Sequence, residues 1–129
     1  MVNSKVEQVM SRGIRGAITV NRNCSEDIMQ ATVELVKEMA SANSVESEDI
    51  AAVFFSVTPD LNDAFPAEAV RALGWKDVPL FCSTEIDVPD SLGRCIRVLI
   101  LVNTLLKQTE IKHVYLREAR QLREDLNDT

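Results

Sequence analysis

An arginine interrupts the most apolar run in the chain. In Cys95–Asn103 (CIRVLILVN), Ile96, Val98, Ile100 and Val102 share one face of an extended segment, and Arg97, Leu99 and Leu101 share the other. Both faces are apolar, so a guanidinium there is at least partly buried and needs a partner. The strand alone leaves two readings open. Arg97 is either a structural ion-pair member or strand-end residue reaching solvent, or a fixed cation that serves a bound anion.

The rest of the chain sets this strand in an alternating pattern. Gly13–Val20 reads as a strand, with Gly13 and Gly16 allowing close approach of another backbone. Ser25 is placed to cap a helix through Ala42, with Glu26 and Asp27 in its first turn and Ile28, Thr32, Leu35, Val36 and Met39 at helical spacing. Ile50–Val57 reads as a central strand buried on both faces, ended by Thr58-Pro59-Asp60. Pro66 opens a second helix to Leu73, which Gly74 closes. Strands are expected at Val78–Cys82 and Lys112–Leu116, with a polar, turn-rich stretch over Ser83–Gly93 and a short helical turn over Leu106–Ile111. The tail, Arg117–Leu126, has helix-favouring composition and could equally wrap the surface. The expected fold is α+β, an α/β sandwich with a mixed sheet and two main helices. Two helices cannot cover both faces of so apolar a sheet, so the free face is expected to meet another subunit.

Length and composition close off several classes. The 129 residues fit a single domain over 12–129, with residues 1–11 as an N-terminal extension. No apolar run is long enough to span a membrane, and residues 1–11 lack a signal-peptide core, so a cytoplasmic location is the default. Cys24, Cys82 and Cys95 form neither a disulfide framework nor a zinc pattern, so no metal is expected. His113 is the only histidine and no GxSxG turn is present, which speaks against a nucleophilic triad. A net charge of −6 argues against nucleic acid as a partner. The basic residues are nine arginines against five lysines. Arginine grips carboxylates bidentately, so an acidic protein that binds an anion must gather arginines locally.

Other residues are ambiguous taken singly. Arg15 lies between Gly13 and Gly16, either a solvated edge residue or a cation with room for a ligand beside it. Glu85 follows a strand end, where sites are common, yet it could be only a loop acid. Tyr115, the sole tyrosine, is a half-buried strand residue or a hydroxyl aimed at a ligand. Cys82 reads equally well as a small hydrophobe.

Together they carry a resemblance. The strings RGIRGAITV, TPDLNDAFPAEAVRALGW, VPLFCSTEIDV, CIRV and HVYL, in this order from Arg12 to the end, resemble the monofunctional chorismate mutases of the Bacillus type. The resemblance implies an isomerase that converts chorismate to prephenate in phenylalanine and tyrosine biosynthesis on the shikimate pathway. It implies no cofactor, and a homotrimeric pseudo-barrel with active sites between subunits. It puts the cation beside the reacting ether oxygen at Arg97, a carboxylate-binding arginine at Arg15 and the substrate-hydroxyl partner at Glu85. Phe81, Cys82, Ser83 and Thr84 line the substrate, and Tyr115 meets one of its carboxylates. Phe65 and Arg71 come from the neighbouring subunit, and Arg123 from a tail that closes over the pocket. The chain departs from the pattern at Glu68, where the family has lysine, at Phe81, where it has a smaller polar residue, and by one residue fewer before Gly74-Trp75.

Two other readings compete. One is a non-catalytic trimeric small-molecule-binding module on the same scaffold. It needs no buried cation aimed at an ether oxygen, and the joint presence of Arg15, Glu85, Arg97 and Tyr115 speaks against it. The other is an assembly protein whose apolar face only binds partners, which leaves Arg97 unexplained.

Overall fold

A computed structural model describes residues 8–123. Five strands, β1 (Met10–Thr19), β2 (Ile50–Val57), β3 (Leu80–Thr84), β4 (Cys95–Thr104) and β5 (Val114–Leu116), form one sheet in the order β3-β2-β4-β1-β5. β4 runs antiparallel to both β1 and β2, while β3 pairs parallel to β2 and β5 parallel to β1. The sheet is therefore mixed, as the sequence pattern implies. β1 reaches back to Met10, three residues before the expected Gly13, because Met10–Arg12 pair with Val102–Thr104 of β4. Residues 1–7 and 124–126, parts of the expected extension and tail, lie outside the described residues.

Two α-helices, α1 (Ser25–Ala42) and α2 (Pro66–Ala72), pack on one face of the sheet. The buried stripe of α1 is Ile28, Ala31, Thr32, Leu35, Val36 and Met39. It meets Ile14 and Ile18 of β1, Val53 and Phe55 of β2, and Ile96, Val98, Ile100 and Val102 of β4 in one core. Almost every member is aliphatic, so stability rests on buried apolar area, at roughly 1.5–3 kcal/mol per fully buried side chain. Gly16 has no Cβ where Met39 crosses β1. A Cβ there would lie 2.5 Å from the Met39 sulfur, so this glycine sets how closely α1 lies on the sheet. Gly74, at φ 98°, ends α2 in the left-handed region, the role its position implied.

Three expectations need correction. Ser25 is the first helical residue rather than the cap, and Cys24 stands at the cap position without a side-chain bond. The cap acceptor comes from elsewhere in the chain: the Ser25 amide donates to Asp63 Oδ2 at 2.9 Å. Asn23 Oδ1 accepts from the amides of Asn62 and Asp63 in return, which ties the β1–α1 turn to the β2–α2 connection. β2 is buried on one face only, since Phe54 is 40% exposed while Val53 and Phe55 are buried. Among the described residues the other face of the sheet carries no α-helix, only the 3-10 segment that packs Ala119 beside Ala17 and Cys95. The third strand begins at Leu80 and runs to Thr84, because its parallel pairing with β2 extends through Ser56↔Ser83 and Val57↔Thr84.

After β5 the chain turns at Arg117, with φ 55°, into a 3-10 segment, Arg117–Arg123. Arg117 donates from Nη1 to the Thr19 carbonyl and from Nη2 to Glu34 Oε1, both at 2.9 Å, and so pins the tail to β1 and α1. Ala119 is buried beside Ala17 and Cys95, with Leu92, Tyr115 and Leu122 around them.

Gly16→Val should lower stability by about 1–3 kcal/mol, the scale of overpacking a filled core. Urea denaturation at fixed protein concentration measures it, and an unchanged midpoint would show that Met39 gives way without cost.

Candidate active site

The face of the sheet opposite α1 and α2 is organised by register. Ser83 of β3 pairs with Ser56 of β2, Ser56 with Arg97 of β4, Arg97 with Ala17 of β1, and Ala17 with Tyr115 of β5. These five residues form one row across the whole sheet, with side chains on the same face. The row two residues along the strands is Phe81, Phe54, Leu99 and Arg15. Both rows line a cavity of about 350 Å³, joined by Glu85 from the end of β3 and Arg123 from the tail. A cavity of that size suits a small metabolite.

Its charge is lopsided. Three arginines, Arg15, Arg97 and Arg123, face one carboxylate, Glu85, in a protein whose net charge is −6. The cavity thus gathers cationic donors in an acidic molecule, the arrangement that anion capture requires. The apolar part of the lining, chiefly Phe54, Phe81, Leu99 and Ala17, offers a surface for a ring. Phe54 and Phe81 meet edge-on with centroids 6.3 Å apart.

Glu85 is held from three sides. Its amide donates to the Val57 carbonyl at 2.8 Å, which fixes the backbone as the strand ends. Ser56 Oγ donates to Oε1 at 2.6 Å. Arg97 Nε lies 3.6 Å from the same oxygen, a Coulombic contact longer than a hydrogen bond. The Arg97 side chain is 46% exposed and that of Glu85 25%, so the guanidinium is open to the cavity instead of sealed in the sheet. A pair this exposed contributes at most about 1 kcal/mol. That is too little for a structural ion pair to be the reason for an arginine in this strand.

The remaining sequence candidates divide. Ser83 borders both this cavity and a second one of about 490 Å³, which Phe65, Cys82 and Thr84 also line together with Glu68. The Cys82 side chain alternates away from the first cavity and packs against the helix-side core. Phe65 is 66% exposed. Arg71, in the last turn of α2, is exposed and borders neither cavity. Arg15, Phe81, Ser83, Glu85, Arg97, Tyr115 and Arg123 are therefore together within one chain, while Phe65, Arg71, Cys82 and Thr84 are not.

Sequence reasoning missed two positioning devices. Ser56 reads in IAAVFFSV as one small residue in a strand, and only the β2–β4 register puts it beside Arg97. Thr58-Pro59-Asp60 reads as a strand terminator, yet Asp60 accepts from the Arg94 amide through both oxygens, at 3.0 and 2.9 Å, and Thr58 Oγ1 accepts from the Cys95 amide at 2.9 Å. That clamp sets where β4 begins, two residues before Arg97. Gly93 leaves room for it, since a Cβ there would come within 2.8 Å of Asp60 Oδ2.

Two titrating groups near the cavity, Cys95 and His113, are shifted toward their neutral forms. Burial pushes the Cys95 thiol up to about 11, with Glu85 and Asp60 adding to the rise and Arg97 opposing it, so it stays protonated at neutral pH. His113 Nδ1 accepts the Arg15 amide hydrogen at 2.9 Å, which fixes the proton of the neutral ring on Nε2. Burial, then Arg15 and then Arg123, lower the His113 pKa below its ordinary 6.5. A lowered histidine pKa means the unfolded chain binds the proton more tightly than the folded one. His113 therefore costs no stability above pH 6.5, and stability falls as pH drops through 6.5 toward the folded value. An NMR titration of this single histidine should give a midpoint below 6.5, and a midpoint at or above it would contradict the hydrogen bond.

Comparisons with known proteins identify the family. A family model described as "Chorismate mutase type I" matches residues 11–126. The chain is 56% identical over 118 residues to chorismate mutase AroH of Thermus thermophilus, covering 91% of this chain and 97% of that protein. It is 46% identical over 122 residues to chorismate mutase AroH of Bacillus subtilis (strain 168), covering 94% and 96%. A solved chorismate mutase from Clostridium thermocellum superposes with a TM-score of 0.84 at 49% identity, covering 85% of this chain and 98% of that one. A family model over residues 11–126 and relatives at 56% and 46% identity over more than nine-tenths of the chain give one conclusion: the chain belongs to the type I chorismate mutases.

Proposed function

We propose that the cavity on the open sheet face binds chorismate and that Arg97 is its principal electrostatic catalyst. The chain is a chorismate mutase, an isomerase that rearranges chorismate to prephenate for aromatic amino acid biosynthesis. The observation that carries the site reading is the row Ser56–Arg97–Ala17–Tyr115, with Glu85 at its end and Arg15 one row away.

Chorismate has two carboxylates, a ring hydroxyl and an enol-ether oxygen. Its rearrangement is pericyclic: one C–O bond breaks as one C–C bond forms, with no proton transfer and no nucleophile. The protein has two tasks. It must hold the enolpyruvyl side chain folded over the ring, and it must stabilise negative charge on the ether oxygen as the C–O bond lengthens. Arg15, Arg123 and Tyr115 suit the carboxylates, since they approach from β1, the tail and β5. Glu85 suits the ring hydroxyl as an acceptor. Arg97, between them and open to the cavity, suits the ether oxygen, where a fixed cation is more favourable in the transition state than in the ground state.

The quaternary reading extends this. Phe65 and Arg71 stand outside the cavity of their own chain, and Phe54, Phe81 and Leu99 leave an apolar strip on an open sheet face. A homotrimer closed through these faces, a pseudo-barrel with each site shared between subunits, would cover the strip and bring a neighbour's Phe65 and Arg71 to the cavity mouth. The three free thiols suit a reducing compartment, hence the cytoplasm.

Mixing the protein with chorismate and following the loss of its ultraviolet absorbance tests the activity. Arg97→Ala should lower kcat by about 10²- to 10³-fold, the scale for one oxyanion-type donor. Arg97→Lys should also be poor, because an ammonium cannot reproduce the guanidinium fork. A folded Arg97→Ala protein with near-full kcat would remove the assignment.

A further inference from the structure

We propose that Ser56 is a positioning residue that selects which oxygen of Glu85 the substrate meets. The proposal rests on the cavity being the chorismate site and adds a residue to its machinery. Ser56 Oγ donates to Glu85 Oε1 at 2.6 Å, and Arg97 Nε faces the same oxygen at 3.6 Å. Both contacts fall on Oε1 of a carboxylate that lines the cavity, which leaves Oε2 as the acceptor for a ring hydroxyl. The geometry follows from the sheet: Ser56 is the β2 register partner of Arg97, and Glu85 arrives beside it because its own amide is bound to Val57, the next residue of β2.

A carboxylate at the end of a strand rotates about three side-chain torsions. Without the hydroxyl, its nearest partner is the Arg97 guanidinium, and Glu85 would swing to form a direct ion pair. That movement would take the acceptor from the ring hydroxyl and cancel the positive charge meant for the ether oxygen. Ser56 therefore keeps the acid and the cation close but separate. A hydrogen bond to a charged group is worth about 1.5–3 kcal/mol, or roughly 10- to 100-fold in rate.

Steady-state kinetics on the full chain test this with Ser56→Thr and Ser56→Val, which differ in shape by almost nothing and in chemistry by one hydroxyl. Ser56→Thr should keep kcat/KM within a few-fold of wild type, and Ser56→Val should lose about 10-fold or more, with part of the loss in kcat. In a Glu85→Ala background, Ser56→Val should add little, because its effect runs through Glu85. Equal kcat/KM for the two variants, or losses that add fully to that of Glu85→Ala, would overturn the proposal. An inactive wild-type protein would instead remove the underlying site reading. Ser56→Ala supplies a second hydroxyl-free side chain should valine disturb folding, as judged by circular dichroism.

Discussion

β4 is hydrogen-bonded to β1 along one edge and to β2 along the other, and the open face of the sheet depends on that double register. A slip of one residue would turn Arg97 into the helix-covered core and Val98 out to solvent. Burying that guanidinium without a partner would cost several kcal/mol, more than the slipped strand could regain by apolar contact. Arg97 is thus a register marker as well as a cavity residue. The same register brings Ser56 and Ala17 to its two sides and Tyr115 to the row's end. The Asp60–Thr58 clamp reinforces it by fixing where the strand starts.

The two faces of the sheet divide the work. The face under α1 and α2 is aliphatic and closely packed, down to a glycine at the Met39 crossing, and it supplies the stability. On the other face the small residues Ala17 and Ser56, set among Phe54, Phe81 and Leu99, leave the depression into which Arg15, Arg97, Arg123 and Glu85 reach. A preorganised cationic cavity needs rigid walls, because a catalyst that must reorganise loses much of its electrostatic advantage. Three of the four charged groups sit on or at the end of sheet strands, where backbone hydrogen bonds fix them.

Much of this was legible in the sequence. The α1 stripe, the extents of β2 and α2, the mixed sheet and the arginine within an apolar strand all follow from periodicity, capping preference and turn residues. Glu85, Arg15 and Tyr115 could be identified as polar groups at strand ends and edges, though their convergence on one cavity came from resemblance and was then seen in the register. What escaped detection was non-local. Ser56 gains meaning only from its cross-strand partner, and Asp60 only from the Arg94 amide, 34 residues away. The α1 cap was misread because local sequence offered Ser25, while the chain satisfies that end from Asp63, 38 residues on. β2 was expected to be buried on both faces because apolar composition does not say whether a helix or another molecule covers a face.

The claim on which the account turns is that Arg97 and Glu85 address different atoms of one substrate. The crystal structure of the protein with a bicyclic ether dicarboxylate, shaped like the rearranging substrate, tests it most directly. The account predicts the ether oxygen within hydrogen-bond distance of the Arg97 guanidinium, and the ring hydroxyl on Glu85 Oε2 with Oε1 still bound to Ser56. A ligand seated elsewhere, or one in the cavity with its ether oxygen turned away from Arg97, would contradict it.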